Sequence, residues 1–175
     1  SVGGYGRREM APYSDVDLLF LTPYKITPWA ETVIETVLYL LWDLKLKVGH
    51  SSRTIRDCLR MGNEDYTIRT AMLEHRFVCG DIGLASELNE KLWKNLFDGT
   101  AKEFISAKLK ERENRHKKHG QRYMVEPNIK EGKGGLRDLQ SLYWIAKYVY
   151  QTQNISDLIE VNVFRSDEYE QFDKA

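Results

Sequence analysis

Neither sign of charge is in surplus: Lys plus Arg number 26 and Asp plus Glu number 26 in a chain of 175 residues. That balance removes any general electrostatic case for nucleic acid, an anionic membrane or a polycationic partner, so phosphate binding has to be local. Long apolar runs are missing. No stretch approaches the roughly eighteen residues of a membrane span, and the opening residues are not expected to be a signal peptide. Cysteine is scarce as well, and Cys58 and Cys79 have neither metal-ligand nor C-x-x-C spacing. They read as buried thiols of a reducing compartment. Internal repeats and low-complexity linkers are absent. The expectation is a cytoplasmic protein with no membrane or nucleic-acid partner, long enough for one moderate domain or two small ones. An initiator Met is lacking too. The opening Ser-Val-Gly-Gly reads as a strand's tail entering a glycine turn, and the closing "DEYEQFDKA" as an interrupted helical segment, so the chain is expected to be a piece of something longer.

The residues present divide into an α/β start and a helical remainder. "VDLLFLT", Val16 to Thr22, is a short apolar run between a Ser-Asp turn and Pro23, the pattern of a central strand. After Pro28, Val33, Ile34, Val37, Leu38 and Leu41 recur at helical spacing. Leu44, Leu46 and Val48 then alternate with Lys45 and Lys47, which predicts a second, half-buried strand. From Thr54 the strand signals stop. Helices are expected over "DYTIRTAMLEHRFVCG" with Gly80 as its stop, over "DIGLASELNEKLWKNLFDG" from an Asp81 cap, over Thr100 to His119, and over "GGLRDLQSLYWIAKYVYQ" with Leu136, Leu139, Leu142, Tyr143 and Ala146 along one side.

Asp15 and Asp17 flank Val16 at the head of the first strand. A period of two puts both carboxylates on one face while Val16 points into the core. Like charges so close repel and raise each other's pKa unless a cation lies between them, and hard divalent ions such as Mg²⁺ take such oxygen ligands. Asp43 opens the second strand signal, and in an antiparallel or neighbouring pairing it would stand beside the other two. Three carboxylates around two metals suit in-line phosphoryl or nucleotidyl transfer. The preceding "GGYGRRE" adds glycines that let backbone N–H groups approach an anion, then a helix start, with Arg7 and Arg8 as local positive charge. A bare D-x-D is more often a turn cap and a solvated strand residue; the ordered combination is what favours a site.

That combination is where a family resemblance enters. Ten residues separate Gly4 from Asp15, and "VGGYGRRE" followed by "SDVDLLFL" resembles the signature of the nucleotidyltransferase superfamily that includes DNA polymerase beta. "WDLKLKVGHSSRT" resembles the strand carrying that superfamily's third carboxylate, at Asp43. Together with "TAMLEHRFVCGD" and "VEPNIKEGKGGLRDLQSLYWIAK", the motifs are similar, from Val2 to about Tyr150, to the bacterial PII uridylyltransferases. The resemblance implies an α+β fold: a polymerase beta-like mixed sheet, N-terminally truncated, over residues 1–55, then an all-helical region over 56–175 with a Gly-rich, nucleotide-proximal loop near 126–138. It implies transfer of UMP from UTP to a tyrosine hydroxyl of a PII signalling protein. Asp15, Asp17 and Asp43 would hold two Mg²⁺ ions, Asp43 helping to deprotonate the hydroxyl, and Gly3, Gly4, Arg7, Arg53 and Lys130 would contact the nucleotide. Arg8 departs from the family where a small Gly is common, and Lys133 where Pro is common.

Other features carry less. Lys130 and Lys133 with their Gly-Gly pair fit a loop closing over a nucleotide and a helix-entry turn with an Arg137–Asp138 capping network equally well. His50 reads as a structural hydrogen-bonding residue, Lys108 to Gly120 as a solvated helix face, and the aromatics of "LYWIAKYVY" as core. Two other functions fit the same motifs: an adenylyltransferase of the superfamily acting on glutamine synthetase, or a non-catalytic nucleotide-sensing module that keeps the fold. All three aspartates are present, which speaks for catalysis.

Overall fold

The computed structural model describes residues 1–119, 128–152, 157–160, 165 and 167–168. The expected α+β architecture is what forms. Two compact units divide after Asp98.

The first unit starts with a one-and-a-half-turn helix, α1 (Gly3–Arg7), followed by β1 (Val16–Thr22), α2 (Pro28–Asp43) and β2 (Val48–Thr54). The strands pair in parallel, Val16 opposite Val48 through Thr22 opposite Thr54, so β1, α2 and β2 make one crossover unit. Thr27 caps α2 by accepting the Ala30 N–H at 3.2 Å, with Pro28 at the first helical position, where its missing N–H costs nothing. Ile34 and Leu38 are buried. Trp29, Val33, Val37 and Leu40, on the other flank of α2, are exposed.

The second strand begins four residues later than its alternating pattern predicts. Leu44 to Lys47 form the stop of α2 instead. Lys45 takes a left-handed φ of 62°, its N–H bonds the Trp42 carbonyl at 2.8 Å, and the Leu46 N–H reaches back to Leu41 at 3.1 Å. These two bonds close a helix end through a left-handed residue, which a short apolar alternation cannot reveal. Arg8 shows the same conformation after α1, with φ 67°. Glycine adopts it without the crowding a side chain brings.

A helix that the strand-free region left unassigned follows at once: α3 (Ile55–Glu64), opened by a capping box in which Thr54 and Asp57 satisfy each other's backbone N–H. Next comes α4 (Tyr66–Leu73), capped by Asp65 through the Thr67 and Ile68 N–H groups. It stops well before Gly80. The buried Arg69 explains the elbow between them, its Nε donating to the Gly62 carbonyl at 2.8 Å and its Nη2 to Asn63 at 2.9 Å. Asp81 caps α5 (Ile82–Leu92) as expected, and the helix runs on into a π-helical turn, Trp93–Phe97. Cys58, Met72, Leu92 and Leu96 form the centre of this core. Burial pushes the Cys58 thiol up to about 11, so it is unreactive packing, whereas Cys79 is exposed rather than buried as expected.

The second unit contains α6 (Ala101–His119), α7 (Leu136–Tyr150) and α8 (Asp157–Glu160). Phe104 stacks flat on Tyr148 with centroids 4.0 Å apart, and Tyr148 shares a 2.7 Å hydrogen bond with Thr100. The inward face of α7 is Gln140, Ser141, Tyr143, Trp144, Ala146 and Tyr148. Leu136 and Leu142, expected on it, are exposed. The helix turns its aromatics inward because they bury more apolar area than the leucines. Among the described residues no helix is long and apolar enough to cross a membrane.

Candidate active site

The Gly-Gly turn and the aspartate pair, apart in sequence, come together at the head of β1. Val2 is extended and its N–H donates to the Asp17 carbonyl at 3.1 Å, which lays the start of α1 beside the strand. Gly3 then begins the helix with φ +59°, a conformation that glycine enters freely. The first-turn amides of a helix have no intrahelical acceptor, so those of Gly3 and Gly4 are free to face an anion.

The carboxylate of Asp17 leans into the space between two glycines. A Cβ on Gly3 would lie 3.0 Å from its Oδ2, and one on Gly49 would lie 2.5 Å from its Oδ1. Asp15 is exposed and Asp17 half-buried. Burial, then the nearby Asp15 charge, raises the Asp17 pKa above its ordinary value. Among the described residues no hydrogen bond reaches either carboxylate. Two unneutralised carboxylates, one partly desolvated, are a donor set that a hard divalent cation would relieve.

Asp43 is not gathered with them. It is the last residue of α2 and exposed. Because the crossover helix runs back along parallel strands, Asp43 lies at the end of the unit where β1 begins, the same end as Asp15. Among the described residues, however, no group of three or more His, Cys, Asp and Glu side chains is placed to hold a metal ion. The pair stands without a third member.

Arg7, expected at the phosphates, is held by carboxylates. Its Nη1 bonds Glu74 and its Nε donates to Glu9 at 2.8 Å, with the side chain almost wholly buried. Arg76 completes the clamp, donating from Nη2 to the Tyr5 carbonyl at 2.8 Å and from Nε to the Gly6 carbonyl at 3.2 Å, with its guanidinium over the Tyr5 ring. These residues tie α1 to the segment after α4. Glu74, Arg76 and Gly49 escaped sequence reasoning, since nothing local marks them; only folding brings them to the glycine turn. Arg53 shares the face of Asp17 in the parallel register, about 13 Å further along the strand at 3.3 Å per residue. His50 lies on the other face, edge-on to Phe20 with centroids 6.5 Å apart.

Known proteins resemble the chain over its whole length. Residues 103–175 match the model of the GlnD PII-uridylyltransferase family. Over all 175 residues the chain is 64% identical to the bifunctional uridylyltransferase/uridylyl-removing enzyme of Ruegeria pomeroyi. Its identity to the enzyme of the same name from Cereibacter sphaeroides is 66%, again over the whole chain. The chain belongs to the PII-uridylyltransferase family. It spans 19% of the length of these two relatives. No solved structure matches it.

Within the stretch that matches the uridylyltransferase family, the loop before α7 is organised by Asp138. Its carboxylate accepts the Gly134 N–H at 2.9 Å, an Arg115 bond at 2.7 Å and His116 Nε2 at 2.8 Å. Burial works to raise its pKa, but the Gly134 N–H, Arg115 and His116 outweigh burial and hold the carboxyl at about 2. Arg137 pairs with Gln140 and Glu131 rather than Asp138. Thus Arg115 and His116 turn inward from a run expected to be solvated, as does Lys108, whose ammonium sits 4.9 Å over Trp144. The loop's amides are used internally: Gly132 N–H bonds Asn128 O, Leu136 N–H bonds Ile129 O and Arg137 N–H bonds Lys130 O. Lys130 itself is exposed. Residues 126 and 127 of the expected loop lie outside the described residues.

The Asp138 network gives a pH dependence of definite sign. A carboxyl whose folded pKa is depressed stabilises the fold above its unfolded value near 4 and loses that contribution as pH falls through about 2. Acid titration followed by circular dichroism should show Asp138→Asn unfolding with a shallower pH dependence between about pH 4 and 2 than the parent. An identical acid transition in both would contradict the network's role.

Proposed function

We propose that the chain is the nucleotidyl-transfer region of a cytoplasmic protein that moves UMP from UTP to a tyrosine hydroxyl of a PII signalling protein. The observation that carries the reading is the unpaired, partly desolvated Asp15–Asp17 couple set against the glycine start of α1. The names of its relatives support it. Asp15 and Asp17 would hold Mg²⁺, two ions in the full reading, which would neutralise phosphate charge and polarise the reacting phosphoryl group. The free first-turn amides of Gly3 and Gly4 would orient the UTP phosphates. Arg7, Glu74 and Arg76 would keep α1 at the height of Asp17, a positioning task rather than a phosphate contact. Arg53, on the same strand face, would meet the nucleoside end. Asp43 and Lys130 are left without a specified contact.

The test uses the full-length protein with Mg²⁺ and each of the four nucleoside triphosphates labelled at the α-phosphate. Label from UTP should move to a PII protein. Transfer from ATP to glutamine synthetase instead would favour the adenylyltransferase reading, and no transfer from any nucleotide would favour a sensing module.

A further inference from the structure

Gly49 is the second residue of β2 and stands directly opposite Asp17 in the sheet pairing. Strand interiors disfavour glycine, because it loses backbone entropy and packs nothing. Its backbone does not demand glycine either: unlike Gly3, it has no left-handed φ. What excludes a side chain is the Asp17 carboxylate, whose Oδ1 would lie 2.5 Å from a Cβ at this position while Oδ2 faces Gly3. In a parallel register the two partners project to the same face, so the Asp17 side chain occupies the volume that residue 49 would otherwise fill.

We infer that Gly49 is a positioning residue for cation binding: by leaving its side-chain space empty it lets the Asp17 carboxylate lie down between β2 and α1. The inference rests on the reading of Asp15 and Asp17 as cation ligands. It makes an unusual demand on a substitution. The clashing atom is the free end of a flexible side chain, so Gly49→Ala should be absorbed by rotating Asp17 away, with the strand pairing kept. The fold survives and the ligand is misplaced. Misplacing the support of a metal ligand costs about 10- to 100-fold in affinity.

The experiment is a Mn²⁺ titration of the full-length protein, followed by electron paramagnetic resonance of the free ion, on parent, Gly49→Ala, Gly49→Ser and Asp17→Asn, with a thermal melt of each. Gly49→Ala should melt within a few degrees of the parent and bind Mn²⁺ about tenfold more weakly, and Gly49→Ser at least as weakly. Parent-like Mn²⁺ affinity in Gly49→Ala beside weakened binding in Asp17→Asn would overturn the inference and leave the site intact. Failure of Gly49→Ala to fold would overturn it too, because the clash would then have fallen on the backbone. Unchanged binding in Asp17→Asn would overturn the reading of the site, and this inference with it.

Discussion

Asp17→Asn in the full-length protein is expected to lower uridylyl transfer by about three orders of magnitude, since losing a cation ligand removes several kcal/mol of charge stabilisation. The same change should leave stability unchanged or slightly raised. Burial and then Asp15 raise the Asp17 pKa, which means that the folded state disfavours the charged form. A carboxyl with a raised folded pKa stabilises the fold below its unfolded pKa and loses that contribution as pH rises through the folded one. At neutral pH an uncharged isostere therefore relieves the fold. Turnover and thermal melting measured on the same preparation separate the two effects. Near-parental turnover would remove Asp17 from the chemistry, and a large fall in melting temperature would make it a structural residue.

Gly6→Ala is expected to be the most damaging small substitution in the first unit. The added Cβ would lie 2.0 Å from the Glu74 carbonyl oxygen and 3.1 Å from its carbon, both backbone atoms that cannot swing aside. Relief requires α1 to leave the segment that holds it through Arg7–Glu74 and through the Arg76 bonds to Tyr5 and Gly6. Overpacking with loss of a buried ion pair argues for about 3 kcal/mol of destabilisation. Gly80 is the comparison. It has nothing within 4 Å but a φ of +109°, so Gly80→Ala should cost only its backbone strain, about 1 to 3 kcal/mol. Denaturant unfolding that ranks Gly80→Ala above Gly6→Ala in cost would show that the α1 clamp is soft.

Legibility in the sequence followed the range of the interaction. Where one segment carries the whole signal, the reading held: the Val16–Thr22 strand, the helix expected after Pro28 and the Asp81 cap of α5 all form as their residues specify. It failed where a local pattern had two physical solutions. Leu44 to Val48 alternate like a strand, yet the same residues end a helix through Lys45 in the left-handed conformation. Along α7 Tyr143, Trp144 and Tyr148 are buried as the core aromatics they were read to be, and Ala146 with them, but Leu136 and Leu142 of the expected stripe are exposed, because Phe104 and Lys108 pack against Tyr148 and Trp144.

The sequence by itself determined the parts of the candidate site that lie within one stretch. The alternation of the first strand turns Asp17 away from the face of the buried Val16, Asp15 immediately precedes that strand, and the glycine turn is legible as a candidate approach for an anion. Only the tertiary structure decided what surrounds them. The parallel pairing set Gly49 against Asp17, the segment after α4 took Arg7 for Glu74, and the stop of α2 left Asp43 outside the pair. The reason is physical: propensity and periodicity act over a few neighbouring residues, whereas the partner of a charge is chosen by whichever distant backbone the packed core brings within a few ångströms.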